Sequence, residues 1–305
     1  MSGQKVYMTR PYHSEARQLL EEHFEVETWS EHIGPTTQDL VDILPRFDGL
    51  FAEGVDIIGE EIFRTAKKLK VVANRAVGTD NLDIAAATRH SVLLSNTPGI
   101  LQESCADMTF ALILSVARRV VFSNNAIRQG KWEYWDQTPY LGTDVYGKTL
   151  GIVGLGGIGE KVAKRARGFD MKVLYFSRTR KPTIESQIDV EWVPRLDVLI
   201  RQSDYLSLHM PLTPETQGMI GARELKLMKP DAFLINTTRG RTVDSGALYT
   251  ALSEGWISGA ALDVTDPEPI PNDTQLVSLP NIVITPHIAS SSRETFKNMA
   301  RMAVE

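Results

Sequence analysis

The sequence predicts an α/β protein with two domains, in which helices cover parallel sheets. Three observations lead to this fold class. Short apolar runs alternate with helical segments along most of the chain, which is typical of strands that are buried on both faces and joined by helices. The length of 305 residues exceeds that of most single cores. A glycine-rich stretch at residues 153–159 lies between a predicted strand and a predicted helix.

The first hundred residues form one α/β domain. We predict strands over residues 5–9, 24–29, 49–52, 70–73 and 92–94 because these runs are rich in apolar and β-branched residues. The segments between them, 13–23, 36–44, 60–67 and 82–88, have helical patterns. Proline and glycine at residues 98 and 99 then interrupt regular structure.

The rest of the chain repeats this alternation after a long predicted helix over residues 103–119. Further helices are predicted over 160–167, 196–201 and 246–254, and strands over 149–153, 172–176, 205–208, 232–235, 260–264 and 282–285. Six strands with a glycine-rich loop after the first strand are typical of the doubly wound dinucleotide-binding fold.

The glycine-rich loop has the spacing that a bound pyrophosphate requires. Gly154 permits a tight turn, Gly156 permits close approach of the backbone to the phosphates, and Gly159 permits close packing of the helix on the sheet. Phosphate charge would lie at the N–H groups of the helix N-terminus. The loop alone is a weak signal, but the strands on both sides complete a βαβ unit.

Composition and charge argue against several function classes. The formal net charge is −5, and neither a nucleic acid nor an anionic membrane attracts an acidic chain. The single cysteine, Cys105, rules out an internal disulfide and fits a reducing compartment. The N-terminal residues contain no apolar h-region, so we expect no signal peptide, and no apolar run reaches the ~18 residues that span a bilayer. We expect a soluble cytoplasmic protein without a nucleic-acid partner, a membrane partner or a metal site.

Six further stretches occur in an order that resembles the D-isomer-specific 2-hydroxyacid dehydrogenases. They are Asn96-Thr97-Pro98-Gly99, Gly147-Lys148-Thr149-Leu150-Gly151-Ile152, Pro211-Leu212-Thr213-Pro214-Glu215-Thr216, Asn236-Thr237-Thr238-Arg239-Gly240, Leu262-Asp263-Val264 and Thr285-Pro286-His287. The resemblance covers nearly the whole chain and is far more specific than the glycine loop. Within the family, residues 174–181 are most similar to glyoxylate and hydroxypyruvate reductases.

The resemblance implies a Rossmann-type doubly wound dinucleotide-binding domain that is inserted in a flavodoxin-like substrate domain. Residues 99–285 would form the dinucleotide-binding domain, and residues 1–98 with 286–305 would form the substrate domain. A homodimer that assembles through the dinucleotide-binding domain is also implied.

The resemblance also assigns the chemistry of reduction. His287 would be the general acid/base, Glu268 its partner, and Arg239 the group that binds a 2-oxo acid and polarises its carbonyl. A carboxylate beside a histidine favours the charged imidazolium, which can donate a proton, and a guanidinium fork fits a carboxylate. The backbone N–H groups of Val77 and Gly78 would hold the substrate carboxylate.

Asp263 is similar to the aspartate that meets the nicotinamide carboxamide in the family, and His209 ends a strand on the adenine side. The full set of expected cofactor-binding residues is Gly154, Leu155, Gly156, Gly157, Ile158, Gly159, Ser177, Arg178, Thr179, His209, Pro211, Thr216, Thr237, Thr238, Arg239, Asp263 and His287. Gly157 departs from the family, in which arginine is frequent at this position, so we expect one pyrophosphate contact fewer.

The end of the second strand of the βαβ unit indicates which cofactor is preferred. Enzymes that use NAD place an acidic residue there to bind the ribose 2′-hydroxyl. Here Ser177, Arg178, Thr179 and Arg180 follow the strand, and Asp170 lies at its opposite end. Cationic and hydroxyl groups attract a 2′-phosphate, so we predict a preference for NADP(H), with NAD(H) possible.

Together these expectations describe an oxidoreductase that reduces glyoxylate or hydroxypyruvate to the D-2-hydroxy acid. A phosphoglycerate dehydrogenase-like enzyme is an alternative within the same class. Formate dehydrogenase is disfavoured, because that branch pairs its histidine with glutamine and this chain has Glu268. A nucleotide-sensing corepressor is an alternative from another class, since fold alone does not fix function.

Overall fold

The computed structural model describes residues 3–305, within which twelve strands and twelve α-helices are present. The strands are β1 Lys5–Met8, β2 Glu25–Thr28, β3 Gly49–Glu53, β4 Val71–Arg75, β5 Leu93–Ser95, β6 Thr149–Val153, β7 Lys172–Phe176, β8 Glu191–Trp192, β9 Tyr205–Leu208, β10 Phe233–Asn236, β11 Gly259–Leu262 and β12 Ile282–Ile284. The helices are α1 Ser14–Glu21, α2 Thr37–Ile43, α3 Glu60–Thr65, α4 Ile84–Arg89, α5 Gln102–Ala117, α6 Val120–Arg128, α7 Gly157–Ala166, α8 Pro182–Glu185, α9 Leu196–Gln202, α10 Ala222–Leu227, α11 Ser245–Ser253 and α12 Arg293–Val304.

The chain divides into two compact units. The first contains the residues up to Leu101 together with Ser291–Glu305, and the second contains Gln102–Ser290. In the first unit, five parallel strands pair in the order β2-β1-β3-β4-β5, which is the flavodoxin-like order. All five strands predicted from the sequence are present. The mixed α/β class and the parallel sheets are therefore confirmed.

The second unit contains a parallel sheet of seven strands in the order β12-β11-β10-β9-β6-β7-β8. The six predicted strands are all present, and β8 is additional. This strand has only two residues, Glu191 and Trp192, which pair with Leu174 and Tyr175 of β7. It is too short, and too polar at Glu191, to produce a strand pattern in the sequence. With β8 included, the sheet has the doubly wound order around the switch point between β6 and β9.

Side chains fix where several helices begin. Thr36 and Asp39 form a reciprocal capping box at the start of α2. Asp244 accepts a hydrogen bond from the backbone N–H of Ala247 in α11, and Ser292 accepts one from Thr295 in α12. These short polar residues precede the helices in the sequence, so the N-terminal boundaries follow from local chemistry.

The helix α6 was not predicted. It is separated from α5 by a break at Arg119, whose backbone is left-handed with φ of 53°. Arginine carries no sequence signal for such a conformation, and the helical pattern runs through it without interruption.

Among the described residues, no helix is both long enough and apolar enough to cross a bilayer.

A buried ionic network ties α12 to the sheet of the first unit. Glu53, at the end of β3, accepts hydrogen bonds from Nε and Nη2 of Arg75 at 2.8 and 2.5 Å, and its Oε1 lies 2.5 Å from Nε2 of His13. The ring of Phe296 in α12 stacks on His13 at 4.8 Å and lies under the Arg75 guanidinium at 4.6 Å. Burial alone would raise the pKa of Glu53, but the bonds from His13 and Arg75 outweigh it and lower this pKa.

We predict that Glu53→Gln lowers the free energy of unfolding by about 3 kcal/mol, because it leaves Arg75 without its buried counter-charge. Urea unfolding would measure this change. Since the pKa of Glu53 is lowered by folding, its contribution is complete above the ordinary value of 4.5 and is lost as the pH falls below it. Glu15→Gln, which breaks the exposed pair with Lys297, is the control and should change nothing measurable. Equal stability of the two variants would contradict a stabilising role for the network.

Candidate active site

The polar residues singled out in the sequence gather at one edge of the second sheet. Because all seven strands are parallel, their carboxyl ends meet at the same edge. The loops that start there begin with Gly154 after β6, Ser177 after β7, His209 after β9, Thr237 after β10 and Asp263 after β11, and the loop after β12 carries His287. In α/β folds this edge is where ligands bind.

The three glycines of the loop after β6 fit a dinucleotide. Gly154 has φ of 98°, and a Cβ there would lie 2.8 Å from the backbone of His209. A Cβ on Gly159 would lie 2.4 Å from the carbonyl oxygen of Gly154, so the helix packs against the turn only without a side chain. A Cβ on Gly156 would meet no atom within 4 Å. The loop is therefore tight where it packs and open where phosphates would approach.

The basic segment after β7 differs from the expectation in one respect. The Arg180 guanidinium is paired with Glu185. Its Nε and Nη2 donate hydrogen bonds of 2.7 to 3.1 Å to the two carboxylate oxygens. Glu185 also accepts a 2.6 Å hydrogen bond from the buried Tyr175 hydroxyl. Arg178 is exposed and makes no hydrogen bond or ion pair within residues 3–305. Of the two arginines, Arg178 is the one without a short ion pair, and it interacts with the Glu215 carboxylate only at longer range.

The loop after β9 is closed on itself. Thr216 donates its hydroxyl to the carbonyl oxygen of Pro211 at 2.7 Å and accepts from the N–H of Thr213 at 2.8 Å. His209 contacts the hydroxyl of Ser207 through Nε2 at 2.8 Å, whereas its Nδ1 is buried and has no partner in the described part of the chain. Burial lowers the pKa of His209 to about 3, so the ring is neutral near pH 7.

The loop after β10 positions Arg239. Asn236 accepts hydrogen bonds from both the N–H and the hydroxyl of Thr238, and donates through Nδ2 to the carbonyl oxygen of Arg239. Nη1 of Arg239 donates to the carbonyl oxygen of Thr238 at 2.9 Å. Thr237 is buried, and its hydroxyl lies 3.4 Å from that of Thr109 in α5. The arginine thus extends from a backbone that several bonds hold in place.

Gly240 brings this loop against the loop that carries Glu268. A Cβ on Gly240 would lie 1.9 Å from the carbonyl oxygen of Thr265 and 2.6 Å from the backbone nitrogen of Asp266. Both are backbone atoms, which cannot rotate away. Only glycine permits this contact, which fixes the start of the Arg239 loop relative to the Glu268 loop.

His287 and Glu268 form a pair at the same edge of the sheet. Nδ1 of His287 lies 3.1 Å from Oε2 of Glu268, and about two-fifths of the imidazole is exposed. The other ring nitrogen, Nε2, has no hydrogen bond within residues 3–305. A carboxylate on one ring nitrogen sets the tautomer and leaves the other to exchange a proton with a ligand.

The buried carboxylate of Asp263 holds the backbone around His287. Its Oδ1 accepts from the hydroxyl of Thr285 at 2.6 Å and from the N–H of Ile288 at 2.9 Å, and its Oδ2 accepts from the N–H of Ala289 at 2.7 Å. His287 itself has φ of 54°, an uncommon conformation for a residue with a side chain. Asp263 therefore stabilises a strained turn. Its expected contact with a carboxamide stays a prediction.

The loop after β4 in the first unit offers two backbone donors. The carbonyl oxygens of Ala76, Val77 and Gly78 accept hydrogen bonds from Thr97 N–H, Asn96 Nδ2 and Asn74 Nδ2. The N–H groups of Val77 and Gly78 donate to no group in the described chain. With all three carbonyls occupied, the loop presents donors, as an anion-binding turn does. A role in holding a substrate carboxylate stays a prediction.

Comparisons with known proteins show which family this chain is similar to. The model of the D-isomer specific 2-hydroxyacid dehydrogenase NAD binding domain matches residues 110–289. A glyoxylate reductase of Korarchaeum cryptofilum is 46% identical over 302 residues, which are 99% of this chain and 91% of that protein.

Two solved structures share the fold over nearly the whole chain. A protein from Thermus thermophilus has a TM-score of 0.93 at 43% identity, and the match covers 99% of this chain and 95% of that one. The NADPH-dependent glyoxylate/hydroxypyruvate reductase of Sinorhizobium meliloti, in complex with NADP and malonate, has a TM-score of 0.87 at 29% identity, with coverage of 99% and 92%.

We predict that Asp263→Asn frees the backbone around His287. The asparagine NH₂ group would face at least one backbone N–H, so that two donors would meet. The variant would thereby lose a buried hydrogen-bond acceptor, and we expect its free energy of unfolding to fall by about 3 kcal/mol. Hydrogen exchange of the Ile288 and Ala289 amides would become faster than in the native protein. Thr285→Val removes one donor only and should give a smaller change. Unchanged protection of both amides in Asp263→Asn would contradict the positioning role.

Proposed function

Because the chain belongs to the D-isomer-specific 2-hydroxyacid dehydrogenase family, and is thus an NAD(P)-dependent dehydrogenase, we propose that it reduces glyoxylate and hydroxypyruvate to the D-2-hydroxy acids. The single observation that carries the chemical part of this proposal is the contact between His287 and Glu268. The relative from Korarchaeum cryptofilum is named a glyoxylate reductase, and the Sinorhizobium meliloti protein with the same fold is named a glyoxylate/hydroxypyruvate reductase.

His287 would donate the proton that converts the substrate carbonyl oxygen to a hydroxyl. Its Nε2 is the available ring nitrogen, while Nδ1 lies against Glu268. Glu268 orients the ring through this contact and leaves Nε2 as the nitrogen that exchanges a proton with the substrate. General acid catalysis of this kind typically contributes about 10² to 10⁴ in rate.

Arg239 would bind the substrate carboxylate and polarise the carbonyl. A guanidinium keeps its charge at any working pH and matches a carboxylate with two parallel N–H groups. The backbone bonds that hold its loop, and the glycine contact that fixes the loop beside Glu268, support this role because both limit motion of the cation. When bound, the nicotinamide supplies the hydride.

We also propose that the protein forms a homodimer through the second unit. The segment from α6 to residue 146 exposes several large apolar side chains, among which Trp132 is 51% and Trp135 is 77% exposed. Their ring centroids lie 6.2 Å apart. Exposed aromatic groups in such numbers are typical of protein interfaces. The mass in solution would test the assembly.

We predict that His287→Ala lowers kcat for glyoxylate by about 10² to 10⁴, because the general acid is lost. NADPH oxidation should be followed against glyoxylate, hydroxypyruvate, pyruvate and phosphohydroxypyruvate, which also ranks the substrates. His90→Ala is a matched control, since His90 is likewise paired with a carboxylate, Glu60, at 2.7 Å. Full activity of His287→Ala would contradict the assignment of His287 as the general acid. If the native protein bound NADPH but reduced none of the four acids, a nucleotide sensor would be favoured instead.

We propose that the protein prefers NADPH to NADH and that this preference depends on Arg178. A phosphate on the ribose 2′-oxygen attracts a cation, and residues 177–181 after β7 include no carboxylate. The Glu185 carboxylate beside the turn is paired with Arg180. Ser177 donates its hydroxyl to the carbonyl oxygen of Thr179 at 2.6 Å and so closes the turn that carries Arg178. Arg180 contributes less, since Glu185 neutralises it.

We predict that Arg178→Ala reduces kcat/KM for NADPH about tenfold and leaves that for NADH unchanged, since the lost contact is a charge-assisted hydrogen bond to the 2′-phosphate. Glu185→Gln should act in the opposite direction, because it removes a negative charge beside the same turn and frees Arg180. Combining Glu185→Gln with Arg180→Gln restores the native charge balance and should return the preference close to its native value. Better use of NADH than of NADPH by the native enzyme would refute the preference.

A further inference from the structure

Gln102 and Gly157 share one space at the start of α7. Gln102 is the first residue of α5, and its side-chain carboxamide lies against Gly157, the first residue of α7. A Cβ built on Gly157 would lie 2.2 Å from Nε2 and 2.5 Å from Cδ of Gln102. These separations are far below van der Waals contact, so a side chain at 157 and the carboxamide in this place exclude one another. The absence of a side chain at 157 is what admits Gln102.

The shared space lies at the phosphate end of the glycine-rich loop. Gly156 caps α7 and is open to its surroundings, since a Cβ there would meet nothing within 4 Å. The N–H groups of Gly157 and Ile158 have no partner in the described part of the chain, as expected for the first turn of a helix. Such a turn attracts phosphate oxygens through its N–H groups and its dipole. The Gln102 carboxamide thus stands at the rim of the expected diphosphate site.

The carboxamide is also available for a ligand. Gln102 is half-buried, and within residues 3–305 its side chain makes no hydrogen bond to a protein group. A glutamine amide carries two N–H donors, and a half-buried donor without a protein partner can bind a ligand oxygen at little cost. It reaches Gly157 from a different helix, and α5 packs directly against α7.

We propose that the side-chain amide of Gln102 donates a hydrogen bond to the diphosphate of the bound dinucleotide. This inference rests on the proposed function, and it replaces the expectation that Gly157 leaves the site with one contact fewer. A neutral amide takes the place that a cationic side chain at 157 would occupy. Since the diphosphate is common to both cofactors, Gln102 strengthens the binding of NADPH and NADH equally, unlike Arg178.

The first test measures dissociation constants of NADPH and NADH by fluorescence titration, with no turnover involved. Gln102→Ala should weaken both about fivefold, the typical value of one hydrogen bond, and should weaken ADP likewise but not adenosine, which has no phosphate. Gln38→Ala, an exposed glutamine on α2, is the control and should bind as the native protein does. Unchanged binding by Gln102→Ala, or an equal loss for adenosine, would overturn the proposal.

The second test exploits the shared space. Gly157→Arg in the Gln102→Ala background should restore or exceed native binding of both cofactors, because the arginine finds the space vacant and carries a charge. In the native background the same change should gain less, since the carboxamide must first move. An equal effect of Gly157→Arg in both backgrounds would show that the two positions are independent and would refute the inference.

These outcomes also separate this inference from the proposed function. A native chain that binds neither dinucleotide contradicts the function itself. Normal dinucleotide binding and 2-oxo acid reduction, combined with an unaffected Gln102→Ala variant, contradict only the Gln102 contact. Melting temperatures of the variants, which should match that of the native protein, would show that weaker binding does not arise from unfolding.

Discussion

Parallel pairing of the strands is the constraint on which the candidate site depends. An antiparallel strand would start its loop at the other edge, whereas here β6, β9, β10, β11 and β12 all deliver their loops to one edge. Residues far apart in the sequence, such as Gly154 and His287, are thereby placed along a single line of strand ends. The sheet interior is apolar, and the polar side chains of the candidate site lie in the loops at the carboxyl ends of the strands.

The sequence predicts the features that depend on a local pattern of residues, namely the buried strands and the glycine-rich loop. Buried parallel strands leave continuous apolar runs, and the spacing of Gly154, Gly156 and Gly159 reflects contacts within a few residues of each other. The strand β8 could not be predicted, because two residues do not make a pattern. The carboxylate of Asp263 was assigned to a ligand from resemblance alone, and only the structure shows three protein donors on it.

Side-chain pairing explains the other differences. Arg178 and Arg180 look equivalent in the sequence, yet Glu185 neutralises only one of them, since that choice depends on how the turn after β7 folds back toward α8. The contact between Gln102 and Gly157 joins two helices that are far apart in the chain, so neither residue carries a local signal of it. The sequence shows how many charged and polar side chains a segment has. Ligand binding depends on which of these side chains are not already paired within the protein.

The left-handed backbone of His287 limits how this position can vary during evolution. The imidazole satisfies the chemical demand, whereas the conformation at φ of 54° favours glycine or asparagine, neither of which can transfer a proton. The chemistry and the backbone conformation therefore favour different residues at position 287, and the hydrogen bonds of Asp263 hold the backbone there despite the side chain. In a relative that no longer catalyses proton transfer, we expect glycine or asparagine at position 287 and an unchanged aspartate at position 263. This pair of residues would identify a former enzyme from its sequence.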